Sequence, residues 1–193
     1  MTFSKTIDRE VVAAMPKEVF TGQIVVVDTK EGLAEAINYL SACAEIGFDT
    51  ETRPSFTKDR HYNMSLLQFS TEDTCFLIRL NKFWKFPKML ENFLKNKNVK
   101  KIGLSLRDDF NRLQNLTKVS PVNFVDLQDY VPPFGIEELS LRKIYAILFG
   151  KKISKSKQKS NWDVDVLSKP QMRYAALDAW ACLRIYQFLE RSK

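Results

Sequence analysis

Asp49 and Glu51 place two carboxylates two residues apart in the stretch Ile46-Gly47-Phe48-Asp49-Thr50-Glu51. Side chains alternate across a strand, so Asp49 and Glu51 project to one face with Gly47, and Ile46, Phe48 and Thr50 to the other. Two neighbouring anions on a buried strand repel each other and are costly to desolvate. A divalent cation resolves both costs, because hard cations take carboxylate oxygens as ligands. A strand end running into solvent accounts for the same tripeptide without any ion, and for these residues alone it is the simpler account.

Further acids stand where solvation explains less. Asp108 is the third residue after Ser105 and completes a capping box, a helix-start role. Asp109 falls three residues after Leu106 and four before Leu113, so it borders a core-facing stripe; a second helix-dipole acid is the alternative. Tyr174 and Asp178 are four residues apart and share one helical face, about 5.4 Å from each other along the axis. Ala175, Ala176, Ala179 and Ala181 would let that helix approach a sheet closely. A mid-helix Asp is unfavourable both by propensity and by burial, although an exposed Asp beside a core tyrosine also fits. Four acids on three elements, with one tyrosine, are the raw material of two-ion phosphoryl transfer, which needs carboxylates converging on ions roughly 3.5–4 Å apart. Spacing alone does not contain that convergence.

The elements that must position these groups are legible in the periodicity. A β-branched strand is expected at 24–27. Asp28 and Glu31 resemble a capping box for a helix to about residue 42, with Leu33, Ala36, Ile37 and Leu40 at helical spacing. The acidic strand at 46–51 follows, then a polar turn over 52–61. Two apolar runs at 64–69 and 75–80, separated by Ser70-Thr71-Glu72-Asp73-Thr74, read as a hairpin that extends the strand into a meander. A helix near 87–95, a strand at 99–104, the helix begun by Ser105 and a strand at 121–125 come next. A helix over 136–149 is closed by Gly150. A last helix, capped by Ser168 and Gln171 with Pro170 in its first turn, runs to about residue 189. The order is that of an α/β fold with a mixed β-sheet flanked by helices. One domain spans 23–193, with residues 1–22 as an N-terminal extension packed on it.

The chain has 193 residues, 45% hydrophobic and 27% charged, enough for one sizeable core. A formal net charge of +7 suits a polyanionic partner. Cys43, Cys75 and Cys182 have neither a disulfide nor a zinc spacing and read as core residues. The single histidine, His61, leaves little for a histidine base or metal cage. No apolar run reaches membrane-spanning length, and residues 1–15 lack a secretory pattern, so a cytoplasmic location with no membrane partner is expected.

Phe48-Asp49-Thr50-Glu51 followed by Met64-Ser65-Leu66-Leu67-Gln68-Phe69 resembles the first motif of the ribonuclease D type 3′–5′ exonucleases. Lys101-Ile102-Gly103-Leu104 leading to Asp109 resembles their second motif. Ser160-Asn161-Trp162, Leu167-Ser168, Gln171 and Tyr174-Ala175-Ala176-Leu177-Asp178-Ala179 resemble their third, the most specific of the three. The motifs occur in family order over about residues 24–190. They resemble those of the DEDD superfamily in its tyrosine subgroup, and the likeness extends to the exonuclease domain of the Werner-syndrome helicase and to stand-alone bacterial proteins related to ribonuclease D.

The resemblance implies a ribonuclease H-like fold and a metal-dependent 3′–5′ exonuclease that releases nucleoside monophosphates with two divalent ions, Mg²⁺ or Mn²⁺. It implies that Asp49, Glu51 and Asp178 hold the ion that binds the attacking water. Asp49 and Asp109 would share the second ion, beside the leaving 3′-oxygen. Tyr174 would position the water; with a phenol pKa near ~10, orientation is more plausible than action as a strong base. His61 lies far from the third motif, which argues against the sister subgroup with histidine in the tyrosine's place. Family alignment and helix geometry both favour Asp109 over Asp108. Helical repeats of the kind that follow the core in ribonuclease D, and a helicase, are not expected.

The expected partner is single-stranded or 3′-ended nucleic acid, DNA or RNA. Lys151, Lys152, Lys155, Lys157 and Lys159 form a run without acids that could bind phosphates regardless of sequence, or simply be a solvated loop. Thr50, between the two acids, is a further candidate contact. Phe56 could stack on a terminal base, with a loop anchor as the alternative. Trp162 reads as core. Two rivals remain: a non-catalytic nucleic-acid-binding domain that keeps the fold, and a different metal phosphohydrolase. Every acid of the motifs is present, which favours the enzyme.

Overall fold

The acidic strand, β2 (Glu45–Thr52), lies inside a six-stranded sheet. The computed structural model describes residues 3–55, 57 and 62–193. β2 pairs antiparallel with β3 (Met64–Ser70), which pairs antiparallel with β4 (Thr74–Arg79), giving the expected meander. β1 (Gln23–Val27) adds parallel to β4, β5 (Lys100–Gly103) parallel to β2, and β6 (Phe124–Asp126) parallel to β5. The spatial order is β1-β4-β3-β2-β5-β6, so β3 alone runs against the others. Every residue of β3 and β4 is buried, as strands covered on both faces require.

Helices cover both faces. On one side α2 (Lys30–Ser41), α3 (Lys88–Leu94) and α4 (Leu106–Leu113) pack Leu33, Leu40, Leu90, Phe93 and Leu106 against Ile46, Phe48, Leu67 and Phe69. On the other, α6 (Leu141–Phe149) and α7 (Lys169–Glu190) pack Ile144, Tyr145, Ala175, Ala176 and Leu183 against Leu66, Leu77 and Ile102. Among the described residues, the short helices α1 (Arg9–Ala14) and α5 (Leu127–Tyr130) complete the α-helices. This is the expected α/β class. No helix of the described residues is long and apolar enough to cross a membrane.

α7 seats directly on β2. A Cβ added at Gly47 would fall 1.9 Å from the Ala179 carbonyl oxygen, so only glycine admits the helix backbone at that distance. The buried alanines of α7, among them Ala175, Ala176 and Ala179, serve the same approach from the other side. At its start, Ser168 accepts from the Gln171 backbone N–H and Gln171 accepts from the Ser168 N–H, the expected capping box.

Several boundaries differ from expectation. Thr29 rather than Asp28 caps α2, accepting from Gly32 N–H at 3.1 Å. Ser105 does not cap α4 with its side chain: it adopts a left-handed φ of 62°. Asp126, at the end of β6, instead accepts from the Ser105 and Leu106 backbone N–H groups at 2.9 and 2.7 Å. α6 begins at Leu141, with Ile136 buried outside it, and Gly150 ends it at positive φ. Residues 3–22 lie against the domain through Phe3 and Phe20 and through the backbone pairing of Glu18 N–H with Lys152 O.

Candidate metal centre

The register makes the acids neighbours of α7. Asp49 pairs with Gln68 and Glu51 with Leu66, and the face they share is the one on which α7 lies. One carboxylate oxygen from each of Asp49, Glu51 and Asp178 lies within 4.8 Å of the others. Glu51 and Asp178 are buried, at 9% and 8% relative exposure, and Asp49 is half-buried. Nothing among the described residues hydrogen-bonds the buried Oδ1 of Asp178.

Asp109 reaches the group from α4, around the end of the sheet. Its Oδ1 accepts a hydrogen bond from the Thr50 hydroxyl, which projects from the opposite face of β2. Asp109 thus stands outside the three-carboxylate cluster, yet its charge acts on both Asp49 and Glu51. Asp108 is exposed on the helix surface.

Burial raises the pKa of all four acids, and repulsion from the other acids of the group adds to it at Asp49 and Glu51. Burial pushes Asp49 well above the ordinary carboxylate range, and the charges of Asp178 and Asp109 push it further. Glu51 is pushed up to about 10 by burial and then by Asp49, Asp178 and Asp109. Burial raises Asp178 to about 7 against the opposing influence of the Tyr174 hydroxyl, Arg142 and Lys155. Asp109 rises to about 6, again through burial, with the Thr50 hydrogen bond and Arg112 opposing. Carboxyls in this condition bind a hard cation well, because the ion replaces repulsion with attraction. The orphaned Asp178 oxygen and the all-oxygen donor set fit a hard divalent ion better than a thiolate- or imidazole-seeking metal.

Tyr174 sits one turn before Asp178 on α7, half-buried, with its ring 6.1 Å from that of Trp162. Burial and the surrounding carboxylates hold its hydroxyl far above the normal phenol range, so it stays protonated. Trp162 is buried core, as expected.

The cleft over the acids is lined by Thr50, Arg142, Lys155, Gln158, Tyr174 and Asp178 among others. Of the lysine run, Lys155 faces this cleft, and Lys159 lines an adjoining depression with Arg53 and Asn161. Lys157 is half-buried in the intervening turn. Lys151 and Lys152 are engaged elsewhere: Lys151 Nζ donates to Glu18 at 3.1 Å, and Lys152 Nζ donates to the Ala13 carbonyl. Phe56 and His61 lie outside the described residues.

Arg142 and Asp126 escaped the sequence pattern. Arg142 lies in the first turn of α6, donates from Nε to Ile153 O at 2.7 Å and tempers Asp178 by its charge. A lone arginine on an amphipathic helix carries no local signal of that task. Asp126 orders the start of α4, and hence Asp109, from 20 residues downstream of Leu106.

The 3′–5′ exonuclease family profile matches residues 24–192, from β1 through α7. The mouse bifunctional 3′-5′ exonuclease/ATP-dependent helicase WRN is 32% identical over 149 residues, covering 75% of this chain and 11% of that protein. The exonuclease mut-7 homolog of Aedes aegypti is 28% identical over 189 residues, covering 86% and 26%. The chain thus spans far less than half the length of either relative. The Aedes aegypti Nibbler EXO domain superposes with a TM-score of 0.81 at 25% identity, covering 90% of this chain and 91% of that one. Escherichia coli RNase D, an exoribonuclease, shares the fold with a TM-score of 0.76 at 20% identity over 88% of this chain and 46% of its own. With the family profile matched across the whole sheet and both helical layers, the chain belongs to the 3′–5′ exonuclease family of hydrolytic nucleases.

Proposed function

We propose that this chain removes nucleoside monophosphates one at a time from the 3′ end of a nucleic-acid strand, with two divalent ions, Mg²⁺ or Mn²⁺. The observation that carries the proposal is the convergence of Asp49, Glu51 and Asp178 around a buried, unpartnered carboxylate oxygen. Asp49, Glu51 and Asp178 would hold one ion, and Asp49 with Asp109 the other. Such ions supply a nucleophilic water at neutral pH and stabilise the leaving oxygen. Tyr174, kept neutral by its surroundings, orients the attacking water through its hydroxyl rather than removing its proton. Lys155 and Arg142, on the rim, neutralise phosphate charge without reading sequence. Lys159 continues that basic lining beyond the cleft.

The test is digestion of end-labelled single strands, DNA and RNA in parallel, with Mg²⁺ or Mn²⁺. Release of the 3′-terminal mononucleotide first, then a ladder shortening stepwise, is the expected result. Binding without cleavage would instead support a non-catalytic nucleic-acid-binding domain on this fold. Hydrolysis of small phosphate esters alone would support another metal phosphohydrolase.

A further inference from the structure

Trp84 stands in solvent with a relative exposure of 102%. An indole so exposed, bordered by clefts, marks a contact surface rather than a packing residue. It lies in the connection between β4 and α3, where Lys82, Lys85 and Lys88 interleave with Phe83, Trp84 and Phe86 and no acid occurs over 82–89. Phe83 and Phe86 turn inward and pack against the core, so the loop is anchored on both sides of the projecting indole.

The sheet register locates this loop relative to the acids. Glu51 pairs with Leu66, and Leu66 pairs with Arg79, the last residue of β4. The strand end that feeds the loop is therefore two strands from Glu51, on the order of 10 Å at ~4.8 Å per strand. It emerges at the same end of the sheet. The surface between is a succession of clefts. Next to the acids, Arg53, Tyr62 and Lys159 line a depression in which the Arg53 guanidinium stacks 4.6 Å over the Tyr62 ring. Tyr62 and Asn63 then share a groove with Trp84 and Lys85. On the far side of Trp84, Lys30 and Lys88 line another. Lys82 and Lys88 are ion-paired with Asp165 and Glu91, whereas Lys30 and Lys85 are exposed. Among the described residues, Asp163 and Asp28 are the acids along these two grooves.

We propose that Trp84 is a stacking platform for a base of the substrate strand several nucleotides 5′ of the cleaved bond, with Lys85 and Lys30 holding adjacent phosphates. The substrate is then a single strand laid from the acids past Tyr62 to Trp84. A flat aromatic face takes any base, and lysines hold phosphates without regard to sequence, which suits an enzyme that must pass every nucleotide. The polarity of the strand rests on the exonuclease proposal; the existence of the binding surface does not.

The test is equilibrium binding of the full chain in EDTA to a single strand of roughly 12 nucleotides, a length that such grooves cover, and to a dinucleotide, as DNA and as RNA. Trp84→Ala is expected to weaken binding of the long strand roughly tenfold, within the range of one base–aromatic stack. The affinity advantage of the long strand over the dinucleotide shrinks by the same factor, and Trp84→Phe restores most of it. Lys85→Ala is expected to flatten the salt dependence. Equal loss on both lengths would mean a general structural defect and would overturn the proposal, as would unchanged binding of the long strand by Trp84→Ala. Because EDTA removes the need for cleavage, the two proposals fail separately. Trp84-dependent binding by a chain that cuts nothing refutes the exonuclease and leaves the platform. Cleavage with an indifferent Trp84 refutes the platform and leaves the exonuclease. Absence of nucleic-acid binding in EDTA refutes the platform and leaves Trp84 for a protein partner, while the exonuclease is judged by the digestion with metal.

Discussion

The Thr50 hydroxyl donates to Asp109 Oδ1 and ties the middle of β2 to the first turn of α4 across 59 residues. Asp49 and Glu51 face α7, while Thr50 between them faces α4, so one tripeptide reaches acids on both helical layers. The threonine expected to touch nucleic acid thus also holds the fourth acid in place. A hydrogen bond to a charged group is worth about 1.5–3 kcal/mol. Thr50→Val is therefore expected to lower kcat roughly tenfold and to raise the Mn²⁺ concentration needed for half-maximal rate. Thr50→Ser should retain most activity. Equal rates for Thr50→Val and the parent across a Mn²⁺ titration would remove the positioning role.

Asp108 and Asp109 separate cleanly by environment. Asp108 is exposed, and its contribution is a helix-terminus increment of about 0.3–1 kcal/mol. Asp109 adjoins the carboxylate cluster electrostatically. Asp109→Asn is expected to reduce kcat/KM by roughly 100-fold or more, since a clamp on the leaving oxygen is worth several kcal/mol. Asp108→Asn should change it by less than about threefold. The reverse order in a steady-state assay would reassign the acid.

Tyr174→Phe removes one hydroxyl and leaves the ring against Trp162. Misplacing a reacting group costs up to about 100-fold, so kcat is expected to fall on the order of 10- to 100-fold. Metal affinity, read by calorimetry, should hardly move. A large loss of metal binding would mean that the hydroxyl is part of the metal site.

Gly47 offers a test remote from the chemistry. Its missing Cβ admits the Ala179 carbonyl, so Gly47→Ala must push α7 off β2 and carry Asp178 and Tyr174 with it. The expected cost is about 1–3 kcal/mol or more of stability, with a loss of metal affinity out of proportion to it. Unaltered melting would show that the helix can shift freely.

The parts of the site that sequence foretold rest on local signals. The alternation around Asp49, the spacing of Tyr174 and Asp178, and the reciprocal cap of Ser168 and Gln171 each lie within a few residues, and each is realised. Ser105 and Asp108 satisfied the same local rule, yet the left-handed Ser105 yields the cap to Asp126 from another strand. Ile136 is expected from the sequence to open the helix that Gly150 closes, but it is buried outside that helix, which begins at Leu141. Lys151 and Lys152 looked free because Glu18 and Ala13, which engage them, are more than 130 residues away in the chain. The platform at Trp84 was invisible for the same reason: only the register across β2, β3 and β4 brings it to the acids' end of the sheet.

The metal-free protein is expected to lose stability as pH rises, and divalent metal to reverse the loss. Unfolded carboxyls titrate near ~4. In the folded chain Asp109 is raised to about 6, Asp178 to about 7 and Glu51 to about 10, with Asp49 also well above the ordinary range. A raised folded pKa means that folding takes up protons. The stabilising contribution is complete below ~4 and disappears as pH climbs through the folded values, first near 6 and then near 7. Metal needs the deprotonated carboxylates, so its affinity grows over that same interval, and binding to the native state alone stabilises it. Thermal melts from about pH 5 to about pH 8 should therefore show a Tm that falls with pH in EDTA and a Mn²⁺-induced rise that widens with pH. Asp49→Asn, lacking one ligand and one repelling charge, should melt higher than the parent in EDTA at the alkaline end and respond less to Mn²⁺. If millimolar Mn²⁺ leaves the parent's Tm unmoved, or shifts Asp49→Asn equally, these acids do not form a metal centre.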